Sequence, residues 1–317
     1  MNAPTRLGLY GVGLAAVFGA AFATAAVVVP ESTVANWSER ARSHDMDASH
    51  ETDASDDSTA DDAPAPVRGL SLEQDGFTLG EVTAPPTVGS AGTLSFTVVD
   101  ADGRPTTRFD ESHTKQLHLI VVRSDGSQFR HVHPTMTDDG EWSLPWEWAA
   151  AGTYRVYADF VPSSTGENVT LSRTFEVAGD VVPDRPSVAS TTSEVAGFEV
   201  TLSGTLSTTD HSELTATVTR DGRPVRSLQP YLGAFGHLVA LREGDLAYLH
   251  VHPEGDEPAP GDTSGPDVTF MTTAPTPGRY LLYLDVKIDG QVHTAEFVVD
   301  AGTGTSPGTA HGTGHGS

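Results

Sequence analysis

The sequence predicts an all-β protein: two tandem Ig-like or cupredoxin-like β-sandwiches behind one N-terminal transmembrane helix. Three observations carry this. Short apolar runs such as "TLSFTVV", "LHLIVV", "YRVYADF", "ELTATVT" and "YLLYLDV" alternate with clusters of Gly, Pro, Asp and Ser, the pattern of many short strands joined by tight turns. The body of the chain repeats itself. Asp102-Gly-Arg-Pro105 returns as Asp221-Gly-Arg-Pro224, His118-Leu as His237-Leu, and His131-Val-His133-Pro as His250-Val-His252-Pro, all at an offset of 119. Residues 7–29 are apolar and uncharged.

The elements follow in chain order. Twenty-three residues at 7–29 are enough for a helix to cross a hydrocarbon core of about 30 Å. Arg6 on the short flank places the N-terminus in the cytoplasm and the rest outside. "ATA" at 23–25 leaves a cleaved signal peptide as the rival reading. Residues 31–66 carry ten acidic side chains and end in "APAP", which reads as a disordered, self-repelling linker. The first β-sandwich repeat is expected at 67–179 and the second at 180–300. A flexible, His-containing Gly/Ser/Thr tail follows at 301–317. The expected location is the cell membrane, single-pass, with the bulk of the chain extracytoplasmic and the anchor segment at 1–30.

Composition removes whole classes of chemistry. A formal net charge of −25 argues against nucleic acid and anionic lipid as partners. The absence of cysteine excludes disulfide frameworks, zinc–thiolate sites, iron–sulfur clusters and blue-copper electron transfer. Any metal must be held by histidine, carboxylate, methionine or backbone. No nucleophile elbow, H-E-x-x-H pair or phosphate loop is present, so the chain is not read as an enzyme.

The histidines carry the functional signal. Asp125-Gly126 is a strong hairpin turn. With the turn there, Ile120 faces His131 and His118 faces His133. Side chains alternate along a strand and directly paired residues share a face. His118, His131 and His133 therefore lie together at the end away from the turn. Gly244-Asp245 gives the second hairpin the same register, pairing His237 with His252 and leaving His250 diagonal. The remainder of each face, Ile120, Val122 and Phe129 or Val239, Leu241 and Tyr248, reads as a core face of the sandwich. Three imidazoles so placed can converge on one ion. The plainer reading is local hydrogen bonding to backbone or water. The duplication favours chemistry, because other histidines differ between the copies: His113 aligns with Leu232, and His293 with Leu171. Asp159 and Asp285, at matching places, could be ligands, acceptors for an imidazole N–H, or ordinary strand-end aspartates. Met136 could serve Cu(I). His44, Met46, His50, His311 and His315 could chelate weakly from the termini.

"HLIVVRSDGSQFRHVHPT", "GTYRVYADFVP" and "LQPYLGAFGHLVALREGDLAYLHVHPEG" resemble a family of bacterial membrane-anchored secreted proteins loosely labelled heavy-metal-binding. The resemblance spans nearly the whole chain. It implies an extracytoplasmic β-sandwich protein linked to copper or heavy-metal handling, and it supplies no ligands.

The reading is thus extracytoplasmic binding of a transition metal for buffering, delivery or resistance, with one triad per repeat: His118, His131, His133 and His237, His250, His252. Copper is favoured because an all-nitrogen site prefers Cu(II) among divalent ions; zinc is the alternative cofactor. A metal-transport protein is a conceivable partner of unknown identity. The other function class is a structural or protein-interaction module without metal. Imidazole titrates near 6.5, so metal bound by the triads is expected to be lost as pH falls below about 6.5.

Overall fold

The computed structural model describes residues 67–184, 188–249 and 251–302. The apolar segment 7–29, the acidic linker and nearly all of the tail, with His44, Met46, His50, His311 and His315, lie outside the described residues. Among the described residues no helix is long and apolar enough to cross a membrane.

The first sandwich is built from β1 (Glu73–Gln74), β2 (Phe77–Leu79), β3 (Gly92–Val99), β4 (Phe109–Asp110), β5 (Leu117–Arg123), β6 (Arg130–Val132), β7 (Thr135–Met136), β8 (Glu141–Trp146), β9 (Gly152–Pro162) and β10 (Val169–Val177). The second is built from β11 (Thr192–Val195), β12 (Phe198–Ser203), β13 (Ser212–Arg220), β14 (Arg223–Pro224), β15 (Leu228–Gln229), β16 (His237–Arg242), β17 (Tyr248–Leu249), β18 (His252–Pro253), β19 (Asp267–Thr272), β20 (Gly278–Ile288) and β21 (Gln291–Ala301). One sheet of the first sandwich runs β1-β2-β3-β8-β7 and the other β10-β9-β5-β6. The second repeats this as β11-β12-β13-β19-β18 opposite β16, β17, β20 and β21, with β21 beside β20. Both follow the ABED/GFC order of an Ig-like sandwich, with an added C′ strand.

The two sheets of each sandwich differ in what covers them. β3 and β13 alternate buried and less buried residues, as expected for a sheet with one face toward water. Every residue of β5 is buried, and β20 is buried almost throughout. Odd residues of β5 (Leu117, Leu119, Val121) enter the core of the first sandwich. Its even residues Ile120 and Val122 join Tyr157, Val239, Leu241, Tyr248, Leu281 and Tyr283 in a separate cluster drawn from both repeats. The face expected to be a sandwich core is thus the interface between the two sandwiches. The unbroken apolar runs "LHLIVV" and "YLLYLDV" are the sequence trace of strands covered on both sides.

The interface has pseudo-two-fold symmetry. The Tyr157 hydroxyl donates to the Leu246 carbonyl, and the Tyr283 hydroxyl to the Gly126 carbonyl. Phe129 stacks on Tyr283 with ring centroids 4.0 Å apart, and the matching pair Tyr248 and Tyr157 sits at 5.8 Å. Gly126 turns with φ 83°, and a β-carbon there would collide with the Leu281 side chain of the other repeat.

The hairpin register is as expected: Leu119↔Val132, Ile120↔His131 and Val121↔Arg130 in the first repeat, Ala240↔Leu249 and Leu241↔Tyr248 in the second. Both ladders stop short of the outer histidines. Beyond Val132 the chain crosses to the opposite sheet, where Thr135 pairs with Ser143. Beyond Leu249 it does the same, and the backbone of His252 pairs with Met271, not with His237.

Removing either crossing hydroxyl leaves a buried carbonyl without its donor. Tyr157→Phe and Tyr283→Phe should each destabilise the protein by about 1–3 kcal/mol. This would be read as a lower urea midpoint at unchanged m-value; unchanged midpoints would mean that water reaches these carbonyls.

Candidate metal centre

Position and parity bring three histidines to one end of the interface. His118 is the second residue of β5, on the same face as Ile120. His131 lies opposite Ile120 on β6. His133 sits in the crossover that follows β6, its ring 4.9 Å from that of His118 and 5.0 Å from that of His131. One nitrogen from each of the three lies within 4.8 Å of the others. His118 Nδ1 is 3.0 Å from His131 Nε2 and 3.2 Å from His133 Nε2.

The opposite edges of two rings are already engaged. His118 Nε2–H donates to the Ser112 carbonyl at 2.9 Å. His131 Nδ1–H donates to Asp285 Oδ2 at 3.0 Å, with both side chains only 4% exposed. Assigning protons from these acceptors leaves a lone pair on His118 Nδ1 and another on His131 Nε2, aimed at one another across 3.0 Å. Two lone pairs at that separation repel unless a cation, either a proton or a metal ion, lies between them. Nitrogens bound to one ion at about 2.0–2.1 Å stand about 2.9–3.6 Å apart for bond angles of about 90–120°. The two spacings from His118 Nδ1 fall in that range. The group can hold a metal ion, with Ser112 and Asp285 fixing ring orientation from behind.

Asp285 belongs to the second repeat. It neighbours His237 across β16 and β20, and Thr294 donates to its Oδ1 at 2.6 Å. Asp159 holds the matching position beside His118, and its Oδ1 accepts from Thr170 at 2.7 Å and Asn168 at 3.0 Å. Met136 packs against the first sandwich core.

The second triad is placed only in part. His237 Nε2–H donates to the Leu232 carbonyl at 2.8 Å, a loop carbonyl one position on from the one that matches Ser112, and its ring lies 6.4 Å from that of His131. His250 lies outside the described residues, as does the side chain of His252.

His113 and Tyr231 complete the surroundings. The His113 ring lies 5.0 Å from His237 and 6.2 Å from His118, so a residue that differs between the repeats is part of the cluster. The Tyr231 ring is 6.4 Å from His133 and 6.1 Å from His237. Burial, with the Asp285 charge, pushes its phenol up to about 12. His113 also lines a cleft of about 790 Å³ together with Glu111, Glu254, Asp256, Glu257 and Asp267. A cleft with that many carboxylates draws cations inward. Only the folded loops bring His113 near the others; pairing each histidine with its counterpart in the other repeat does not find it.

Burial dominates the titration of the rings. Desolvation, then the charge of His131, lowers His118 to about 4. Desolvation, then His131, His118 and Lys115, lowers His133 to about 2. Desolvation, then His113 and His131, lowers His237 to about 3. With these shifts His118 and His133 are neutral at pH 5.5, and an ion held by them would meet proton competition only as the pH nears 4 or below.

Two copies of one family profile, described as a domain of unknown function (DUF8832), match residues 72–179 and 193–303. The match supports the duplicated repeat, and no metal-binding family is indicated. A comparison with curated proteins finds no match. Among solved structures the chain is similar to a Salmonella alpha-2-macroglobulin mutant at 19% identity and TM-score 0.25, covering 74% of this chain and 15% of that one. It is similar to the BSP domain of a biofilm associated protein at 14% and 0.21, covering 72% and 30%. It is similar to the D00-D0 domain of intimin at 14% and 0.20, covering 70% and 98%. The chain thus spans well under two thirds of the first two, and at such TM-scores none of the three bears on function.

The sign of the acid response follows from the depressed histidines. In the unfolded chain they titrate near 6.5, so the unfolded state takes up protons first. Stability of the metal-free protein should be fully present above about pH 6.5 and be lost progressively as pH falls toward 4 and below. Chemical denaturation at pH 7.5, 5.5 and 4.5 reads this directly, and His133→Gln should flatten the slope. Equal slopes in the two proteins would mean that water screens the ring.

Proposed function

The chain belongs to the family described as a domain of unknown function (DUF8832), a description without chemistry, and from the site itself we propose an extracytoplasmic, membrane-anchored transition-metal-binding protein that buffers or delivers its ion. The observation that carries the proposal is the convergence of three ring nitrogens, His118 Nδ1 lying 3.0 Å from His131 Nε2 and 3.2 Å from His133 Nε2. Copper suits the site best, since nitrogen donors favour Cu(II) over the other divalent first-row ions; zinc fits the same spacings. The acidic cleft beside His113 supports a cationic cargo. The apolar segment 7–29 supports the anchor. His237, His250 and His252 are proposed as a second site on sequence grounds.

One observation favours a second reading. A single proton between His118 Nδ1 and His131 Nε2 would also relieve the 3.0 Å contact. His131 would then be an imidazolium bridging His118 and Asp285. The cluster would be a structural clasp in a protein-interaction module.

Titration of the full chain with Cu(II) at pH 7.5 and 5.5 separates the two. The metal reading expects about two tight equivalents, one of them abolished by the double change His131→Ala and His133→Ala. It also expects affinity at the intact triad to change only a few-fold between the two pH values, because His118 and His133 carry no proton to displace. No saturable equivalent assignable to the triad would leave the proton clasp as the function of these residues.

A further inference from the structure

We infer that Asp285 is a positioning residue for the first repeat's ion site, and that ion binding there is linked to docking of the two repeats. This rests on the metal reading above and assigns its control. All three ligands come from the first repeat, yet the acceptor that fixes His131 is 154 residues away in the second. The contact is dry at both ends, with each side chain 4% exposed. Thr294, on the strand beside β20, holds the other carboxylate oxygen at 2.6 Å, so the acceptor is itself oriented. The carboxylate does two things. It selects the tautomer that turns the Nε2 lone pair of His131 toward His118 and His133, and its charge makes that nitrogen a stronger donor. Undocking would remove it, and would also open the interface beside it, Ile120 and Val122 included, to water.

Two consequences follow. Loss of an acceptor behind a ligating imidazole lowers metal affinity by about 10–100-fold. Coupling is reciprocal, so the ion favours the docked arrangement by the same factor by which docking favours the ion.

The test uses the full chain with His250→Ala and His252→Ala, which silences any ion held by the second repeat. Cu(II) affinity, the copper d–d spectrum and hydrogen exchange in β16 and β20 are measured with Asp285 intact, as Asp285→Asn and as Asp285→Ala. The inference expects copper to slow exchange in β16 and β20, although neither supplies a ligand in this background. It expects Asp285→Ala to lose about 10–100-fold in affinity with an altered spectrum. Asp285→Asn, whose carboxamide oxygen can still accept from Nδ1–H, should recover part of that loss. If Asp285→Ala fails to fold, Thr294→Val replaces it and should give a smaller loss in the same direction. Equal affinity in all variants, with no protection of β16 and β20, overturns the inference and leaves the metal site standing. Absence of copper binding with Asp285 intact removes the metal reading itself, and the inference falls with it.

Discussion

Face-to-face burial of the two sheets that carry β5, β9, β16 and β20 is the constraint on which the other features depend. Once those strands are covered on both sides, each polar group on their inner faces needs a partner inside the protein. Along the apolar part of the interface the partners are few and fixed: two tyrosine hydroxyls reach carbonyls of the opposite repeat, and the Tyr248 amide donates to the Arg68 carbonyl at 2.9 Å. On the other face of β5, at its turn end, Arg123 is 4% exposed and is held by Asp125 through two bonds of 3.0 and 2.8 Å. At the other end the same demand falls on histidines and aspartates. There the partners are one another, and with Asp285 ionised and accepting from His131, the facing nitrogens of His118 and His131 are both satisfied only with a cation between them.

The same burial sets the chemistry. Moving an imidazolium out of water is unfavourable, so His118, His133 and His237 are held neutral far below their ordinary range. Neutral rings are the form that binds metal. Desolvation thus keeps the rings in the form that can take a metal ion, and an ion held there would be hard to displace with acid. An exposed cluster of the same residues would behave in the opposite way, charging near pH 6.5 and releasing its ion there.

Much of this is legible in the residues. The 119-residue offset, the turn dipeptides and strand alternation yield the two sandwiches, the hairpin register and the grouping of His118, His131 and His133. What escapes that reasoning depends on contacts between repeats. Alternation says which residues share a face, but not whether the face meets its own sandwich or a neighbour; the even residues of β5 meet a neighbour. Asp285 stands out as a matched aspartate, yet its acceptor role toward His131 requires the docked geometry. His113 is absent from any list built by matching copies, because Leu232 fills its counterpart. Strand pairing also ends earlier than the register extends. The proline of each H-x-H-P marks the passage to the opposite sheet, so His133 reaches His118 from a crossover and not from a ladder.

The duplication does more than supply two copies of a hairpin. A single repeat carries the three histidines, but not the carboxylate behind His131. That comes from the partner sandwich, which offers it because it is built the same way. Asp285 and Asp159 occupy matching positions beside His237 and His118. Each is held by a threonine hydroxyl on the adjoining strand, at 2.6 and 2.7 Å. An aspartate oriented within its own sheet becomes an acceptor for the other sheet's histidine once the two faces meet under pseudo-two-fold symmetry. Drift between the copies can then change the rim of the cluster, as it has at His113 and Leu232, while the buried carboxylate and the buried imidazole stay constrained by one another.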